Sequence, residues 1–146
     1  MKFNILILLL TWAPVLFGVE HYTVPENKPL KLPFSDAVRV ENTVYLSGAI
    51  GVQLGTADLV TGGIEAETHQ TMKNIGTILK HFGLGYEHIV RCQIILEDMG
   101  DWPSMNKVYA SYFSGDLPAR SALGSSGLAL RAKVEMECIA VIPDRG

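Results

Sequence analysis

The chain reads as one α+β domain with the element order β-β-α-β-α-β-β, and three observations predict it. Residues 64–82 carry apolar side chains at helical spacing. Several short segments are rich in Val, Ile and Leu and are bounded by Gly, Pro or Asn, as strands are. The length of 146 residues, 48% hydrophobic and 18% charged, suits a single core and argues against disorder.

The N-terminus, MKFNILILLLTWAPVLFGVE, has one early charge, Lys2, and an unbroken apolar run from Ile5 to Leu10. That run is too short to cross a hydrocarbon layer of ~30 Å. A basic start, an apolar middle and a small residue near the end fit a secretory signal peptide over residues 1–18. Cleavage falls near Gly18, although Leu16 fits the small-x-small rule poorly. An uncleaved anchor and a buried strand are the competing readings. A leader predicts a secreted or periplasmic protein with no stable membrane span in the mature chain. Cys92 and Cys138 would then sit where disulfides persist and could pair. Each lies in an apolar strand-like segment, and small buried thiols are the simpler expectation.

Residues 19–33 contain Pro25, Pro29 and Pro33 and read as an extended lead-in. The domain proper is expected over 34–143. Strands are expected at 37–41 and 44–50 around a turn at Glu41-Asn42-Thr43, with Val38, Val40, Val44 and Leu46 on like-facing positions. Gly51 to Gly63 reads as a loop. In the first helix Ile64, Thr68, Met72, Ile75, Leu79 and Phe82 form one face. Glu65 and Glu67 suit its positive end, Lys80 and His81 its negative end, and Gly83 its C-terminal stop. Ile89 to Glu97 reads as a central strand. Asp101 is the expected N-cap of a second helix running to about Phe113, with Met105, Val108, Tyr109 and Tyr112 on one side. The last strands are expected at 120–125 and 133–142.

Two helices can cover one face of such a sheet. The strands are apolar enough to require cover on both, so a second subunit is expected on the other.

The net charge of −3, more negative still without Lys2, is a poor match to a nucleic-acid partner. The four histidines show no i, i+4 pair and no cysteine at metal-binding spacing, so neither metal nor cofactor is expected. Gly124-Ser125-Ser126-Gly127 lacks the Lys and following helix of a phosphate-binding loop.

Three features could carry chemistry. Arg120 follows Pro118 at the start of a strand, where a guanidinium suits bidentate capture of a carboxylate, at about 1.5–3 kcal/mol per charge-assisted bond. An ordinary surface arginine is the alternative. Val134 to Ile139 alternates so that Glu135 and Glu137 share a face. They are either polar rim or a base aimed into a cleft. Ser47-Gly48 ends a strand with a residue that lets a ligand approach the backbone. Asn106, on the second helix, is open to either reading.

The segments PFSDAVRV (33–40), VYLSGAIG (44–51), GGIEAETHQTMKNI (62–75), DMGDWPSMNKVYASYF (98–113), PARSA (118–122) and VEMECIAV (134–141) together resemble the Rid (YjgF) family of reactive-intermediate, or enamine/imine, deaminases. The resemblance spans nearly all of residues 30–142. It implies a chorismate-mutase-like fold, a mixed sheet with two helices on one face, and a homotrimer whose sheets face inward. Ligand clefts would lie between subunits. It also implies hydrolysis of 2-imino or enamine acids to 2-keto acids and ammonia. Arg120 resembles the arginine that clamps the substrate carboxylate, and Glu135 the carboxylate that positions or activates water. Ser47, Gly48 and Asn106 match cleft-lining positions. Two departures stand out: Phe34 where the family often has Tyr, and Ala122 where it often has Cys. Both remove a polar group from the substrate cleft. An exported member would meet a different substrate supply from intracellular ones. A non-catalytic trimeric binder of small carboxylates is the other reading.

Overall fold

The computed structural model describes residues 18–144. The leader expected at 1–18 lies outside the described residues apart from Gly18. In order, the elements are β1 (Val19–Tyr22), β2 (Ala37–Val40), β3 (Thr43–Leu46), β4 (Ala49–Ile50), α1 (Gly63–His81), β5 (Ile89–Leu96), α2 (Trp102–Ala110), β6 (Ala119–Gly124) and β7 (Val134–Val141). The α+β class and the sequence-predicted order both hold, with β1 added and one expected strand divided.

The strands form one mixed sheet in the order β1-β2-β3-β7-β5-β6, with β4 also paired to β7. β5 and β6 run parallel, which α2 makes possible by carrying the chain back. The other pairings are antiparallel. The lead-in is more ordered than its prolines suggest. β1 pairs with β2, and Pro25–Leu30 forms a short 3-10 turn.

α1 lays the expected face on the sheet. Thr68, Met72, Ile75 and Leu79 are fully buried, and Ile64 and Phe82 pack at the margins. Gly83 ends the helix at φ 72°, with Gly83 N–H bonding the Lys80 carbonyl and Leu84 N–H the Leu79 carbonyl. That is the left-handed stop expected of a glycine there. Glu67 departs from its expected role at the helix start. It is buried, and its carboxylate accepts the Lys133 N–H at 2.7 Å. Asp101 does not cap α2 with its side chain. Asp98 instead accepts the Gly100 N–H at 2.7 Å, and the turn Met99–Asp101 leads directly into the helix. α2 ends at Ala110, three residues before Phe113, where i to i−3 bonds tighten the backbone.

Both helices pack on one side. There Cys92, Ile94 and Leu96 of β5 and Val134, Met136, Cys138 and Ala140 of β7 are sealed in the core. Cys92 and Cys138 are direct antiparallel partners and are joined by a disulfide. This corrects the expectation of buried thiols: apolar surroundings describe a thiol and a bridge equally, and the pairing is decided by the strand register.

The hairpin of β2 and β3 brings a second correction. Its turn is Glu41-Asn42, so Val40 opposes Thr43 and Val38 opposes Tyr45. Val44 and Leu46 face the core, whereas Val38 and Val40 face the other side. A turn one residue shorter than expected exchanges the faces of a strand. The open face therefore carries Val38, Tyr45, Ile139, Val141 and Leu123, with Tyr45 49% and Leu123 43% exposed. Among the described residues no helix is long and apolar enough to cross a membrane.

Candidate functional site

The expected strand 44–50 is broken at Ser47-Gly48. Tyr45 pairs with Ile139 and Ala49 with Met136, four steps along one strand against three along β7. One extra residue is accommodated here, the signature of a β-bulge, a device common beside functional sites. It is pinned from the other side: Ser47 N–H bonds the Asp36 carbonyl at 3.0 Å, and Ser47 Oγ donates to the Ser35 carbonyl at 2.7 Å.

The bulge makes room for Glu135. Its carboxylate lies over Gly48, where a β-carbon would clash with Oε1. Glu135 projects from the open face, opposite Ile50. It forms no hydrogen bond or ion pair among the described residues. Partial burial raises its pKa above the ordinary carboxylate range, and the charge of Glu137 on the same face adds to the shift. Glu135, Ser47, Gly48 and the half-exposed Phe34 line one cavity of about 710 Å³.

Arg120 stands elsewhere. It is the register partner of Cys92, so it points to the helix side of the sheet. Its Nη1 donates to Asn106 Oδ1 at 2.5 Å, and its Cζ lies 5.3 Å from the centre of the Tyr109 ring. Together with Leu117 and Pro118 these residues line a second, smaller concavity. Ala122 follows two positions along the same side of β6 and packs against the core. The sequence-derived residues thus fall into two groups: Ser47, Gly48, Phe34 and Glu135 in one, Arg120 and Asn106 in the other, with Ala122 beside the second.

Tyr109 is a member of the arginine group that sequence reasoning placed only in the core. It is 2% exposed, and its hydroxyl has no hydrogen-bond partner among the described residues. Burial pushes its pKa up to about 12, against the opposing pull of Arg120, so it is a neutral donor. The signal was available in the i, i+3 spacing from Asn106, which puts both on one helix face.

The arginine group can hold a carboxylate: a guanidinium already oriented by Asn106 and backed by an aromatic ring binds such a planar anion well. The glutamate group can hold and deprotonate water. β6 is an edge strand, so Arg120 stands at the margin of the sheet, where another molecule can abut it.

Comparison with known proteins shows the family. The family model described as Endoribonuclease L-PSP matches residues 26–142. A mouse protein named 2-iminobutanoate/2-iminopropanoate deaminase is 41% identical over 75% of this chain and 81% of its own length. The human protein of that name is 37% identical over 75% of this chain and 80% of its own. Among solved structures, a Rid-family protein of Yersinia pestis superposes with a TM-score of 0.79 at 34% identity, covering 86% of this chain and all of that one. RidA from an Antarctic Psychrobacter gives a TM-score of 0.73 at 33% identity, covering 77% and 90% of the two chains. The chain therefore belongs to the endoribonuclease L-PSP family, the YjgF/Rid group that its sequence resembles.

Proposed function

We propose that the protein hydrolyses small 2-imino and enamine acids to 2-keto acids and ammonia, in clefts built between copies of the chain assembled as a homotrimer. One observation carries the reading. Arg120 and Glu135 project from opposite faces of the same sheet, so a second copy is needed to place one guanidinium beside the other's carboxylate. The apolar open face supports the assembly, because an exposed surface of that kind favours association. The deaminase names of the mouse and human relatives support the reaction.

In this reading Arg120, held by Asn106, binds the substrate carboxylate and so fixes the imine carbon. The protonated imine is already electrophilic, so orientation and a water with a nearby proton acceptor suffice. Glu135 accepts the proton as water adds to the carbon. Glu135 then passes that proton to the amino group of the tetrahedral adduct, the C–N bond breaks, and the departing ammonia takes up the hydroxyl proton, leaving the 2-keto acid and ammonium. Ser47 and Gly48 hold the wall against which Glu135 lies.

The Cys92–Cys138 bridge supports a further part of the proposal, that the protein works outside the reducing cytosol after loss of a leader. Phe34 and Ala122 bring no polar group to the site and favour one second reading, a binder of small carboxylates without turnover. The deciding experiment generates 2-imino acids in situ from an amino acid and an oxidase and follows keto-acid formation. Acceleration that is lost in Arg120→Ala and Glu135→Ala is expected. Tight binding of 2-keto acids by calorimetry with no acceleration would establish the second reading.

A further inference from the structure

We infer that the site takes 2-imino acids with long apolar side chains, in preference to two- to four-carbon acids; this rests on the deaminase reading above. The cavity that holds Glu135 is much larger than a three-carbon acid. Its volume of about 710 Å³ lies in the range of roughly 300–1,000 Å³ typical of sites that enclose drug-sized ligands. Much of the remaining lining is aliphatic, with Val24, Leu30 and Leu32 from the lead-in, Val52 and Leu54 from the following loop, and Ile78 from α1.

The polar side chains on the wall sharpen the point. There are six: Asn27, Asp36, Ser47, Thr56, Asn74 and Glu135. Five of them are engaged within the protein. Asp36 accepts the Val24 N–H at 2.7 Å and an Asn27 Nδ2 hydrogen at 3.0 Å, while Asn27 Oδ1 accepts the Gly55 N–H at 3.0 Å. Asn74 Nδ2 donates to the Ile50 and Val52 carbonyls, and its Oδ1 accepts from Gln70. Thr56 donates to the Gln53 carbonyl, and Ser47 to that of Ser35. Glu135 has no partner among the described residues. The cavity thus offers one unengaged polar side chain among engaged or apolar ones, and an occupant that satisfies it has a polar head and a hydrocarbon tail. The relay Asp36–Asn27–Gly55 ties the lead-in to the loop and holds this wall in place.

The test measures kcat/KM of the full-length mature protein for a series of straight-chain 2-imino acids from three to seven carbons, each made in situ. Each methylene that enters the cavity raises kcat/KM, by about fourfold for complete burial. The seven-carbon imine should exceed the three-carbon one by tenfold or more. Ala57→Phe, a filling substitution at an exposed lining position, should lower that ratio at least tenfold; Ala129→Phe, at another exposed lining position, gives the same test should the first variant fold poorly. Turnover that is flat or falling with chain length overturns this inference and leaves the deaminase reading standing. Absence of turnover with every imine overturns both.

Discussion

Arg120 and Glu135 lie on strands that flank β5, yet their side chains leave the sheet on opposite sides. Cys92 is the partner of Arg120 and points into the core, whereas Ile95, the partner of Glu135, points to the open face. No rotamer change in one chain brings them together, because the sheet itself lies between them.

Mixing two inactive variants tests this relationship directly. Arg120→Ala and Glu135→Ala proteins, co-unfolded and refolded in equal amounts, should regain roughly one quarter of wild-type activity, the share of random subunit junctions that join two intact halves. A mixture as inactive as its components would place the whole site in one chain.

Gly48→Ala should disable the glutamate without unfolding the protein. The glycine's φ is not in the left-handed region, so the backbone tolerates alanine, but the new methyl occupies the space of the Glu135 carboxylate. A displacement of about 1 Å at a reacting group can cost on the order of 100-fold. A fall in kcat of that order is expected, with a melting temperature close to wild type.

Burial and Glu137 both push the Glu135 pKa upward, which moves the acid limb of the pH–rate profile toward higher pH, against the pull of a neighbouring copy's Arg120. Glu137→Gln removes one of these two causes, so the limb should move to lower pH. The same shift links to stability. A carboxyl whose folded pKa exceeds its unfolded value binds more protons when folded, so stability falls as pH rises through that interval. Glu135→Gln should flatten this slope in denaturant titrations at a series of pH values, while Glu137→Gln should narrow it.

The disulfide closes 46 residues that include α2 and β6, and a loop of that length corresponds to about 4 kcal/mol of stabilisation in the chain-entropy treatment. Cys92→Ala/Cys138→Ala should lose stability of that order. Thiol titration of the unreduced wild type in denaturant should find no free thiol. Two titratable thiols there would remove the bridge and, with it, the support it lends to export.

The class, the order of elements and the buried face of α1 were legible because each depends on neighbours three or four residues apart. Met72, Ile75 and Leu79 identify a helix face wherever the helix is placed. The family was also legible, through motifs spread over most of the domain, and it placed Arg120, Asn106, Ser47, Gly48 and Glu135 as candidates. Their grouping was not. Which side of the sheet a strand residue occupies depends on register, and register was decided by a two-residue turn at Glu41-Asn42 and one inserted residue at Ser47-Gly48. Both are small local choices with strand-wide consequences, since side chains alternate at every position. The pairing of Cys92 with Cys138, the bed that Gly48 provides for Glu135 and the separation of Arg120 from Glu135 all follow from that alignment. They arise between segments distant in sequence, and only the packed sheet brings those segments into line.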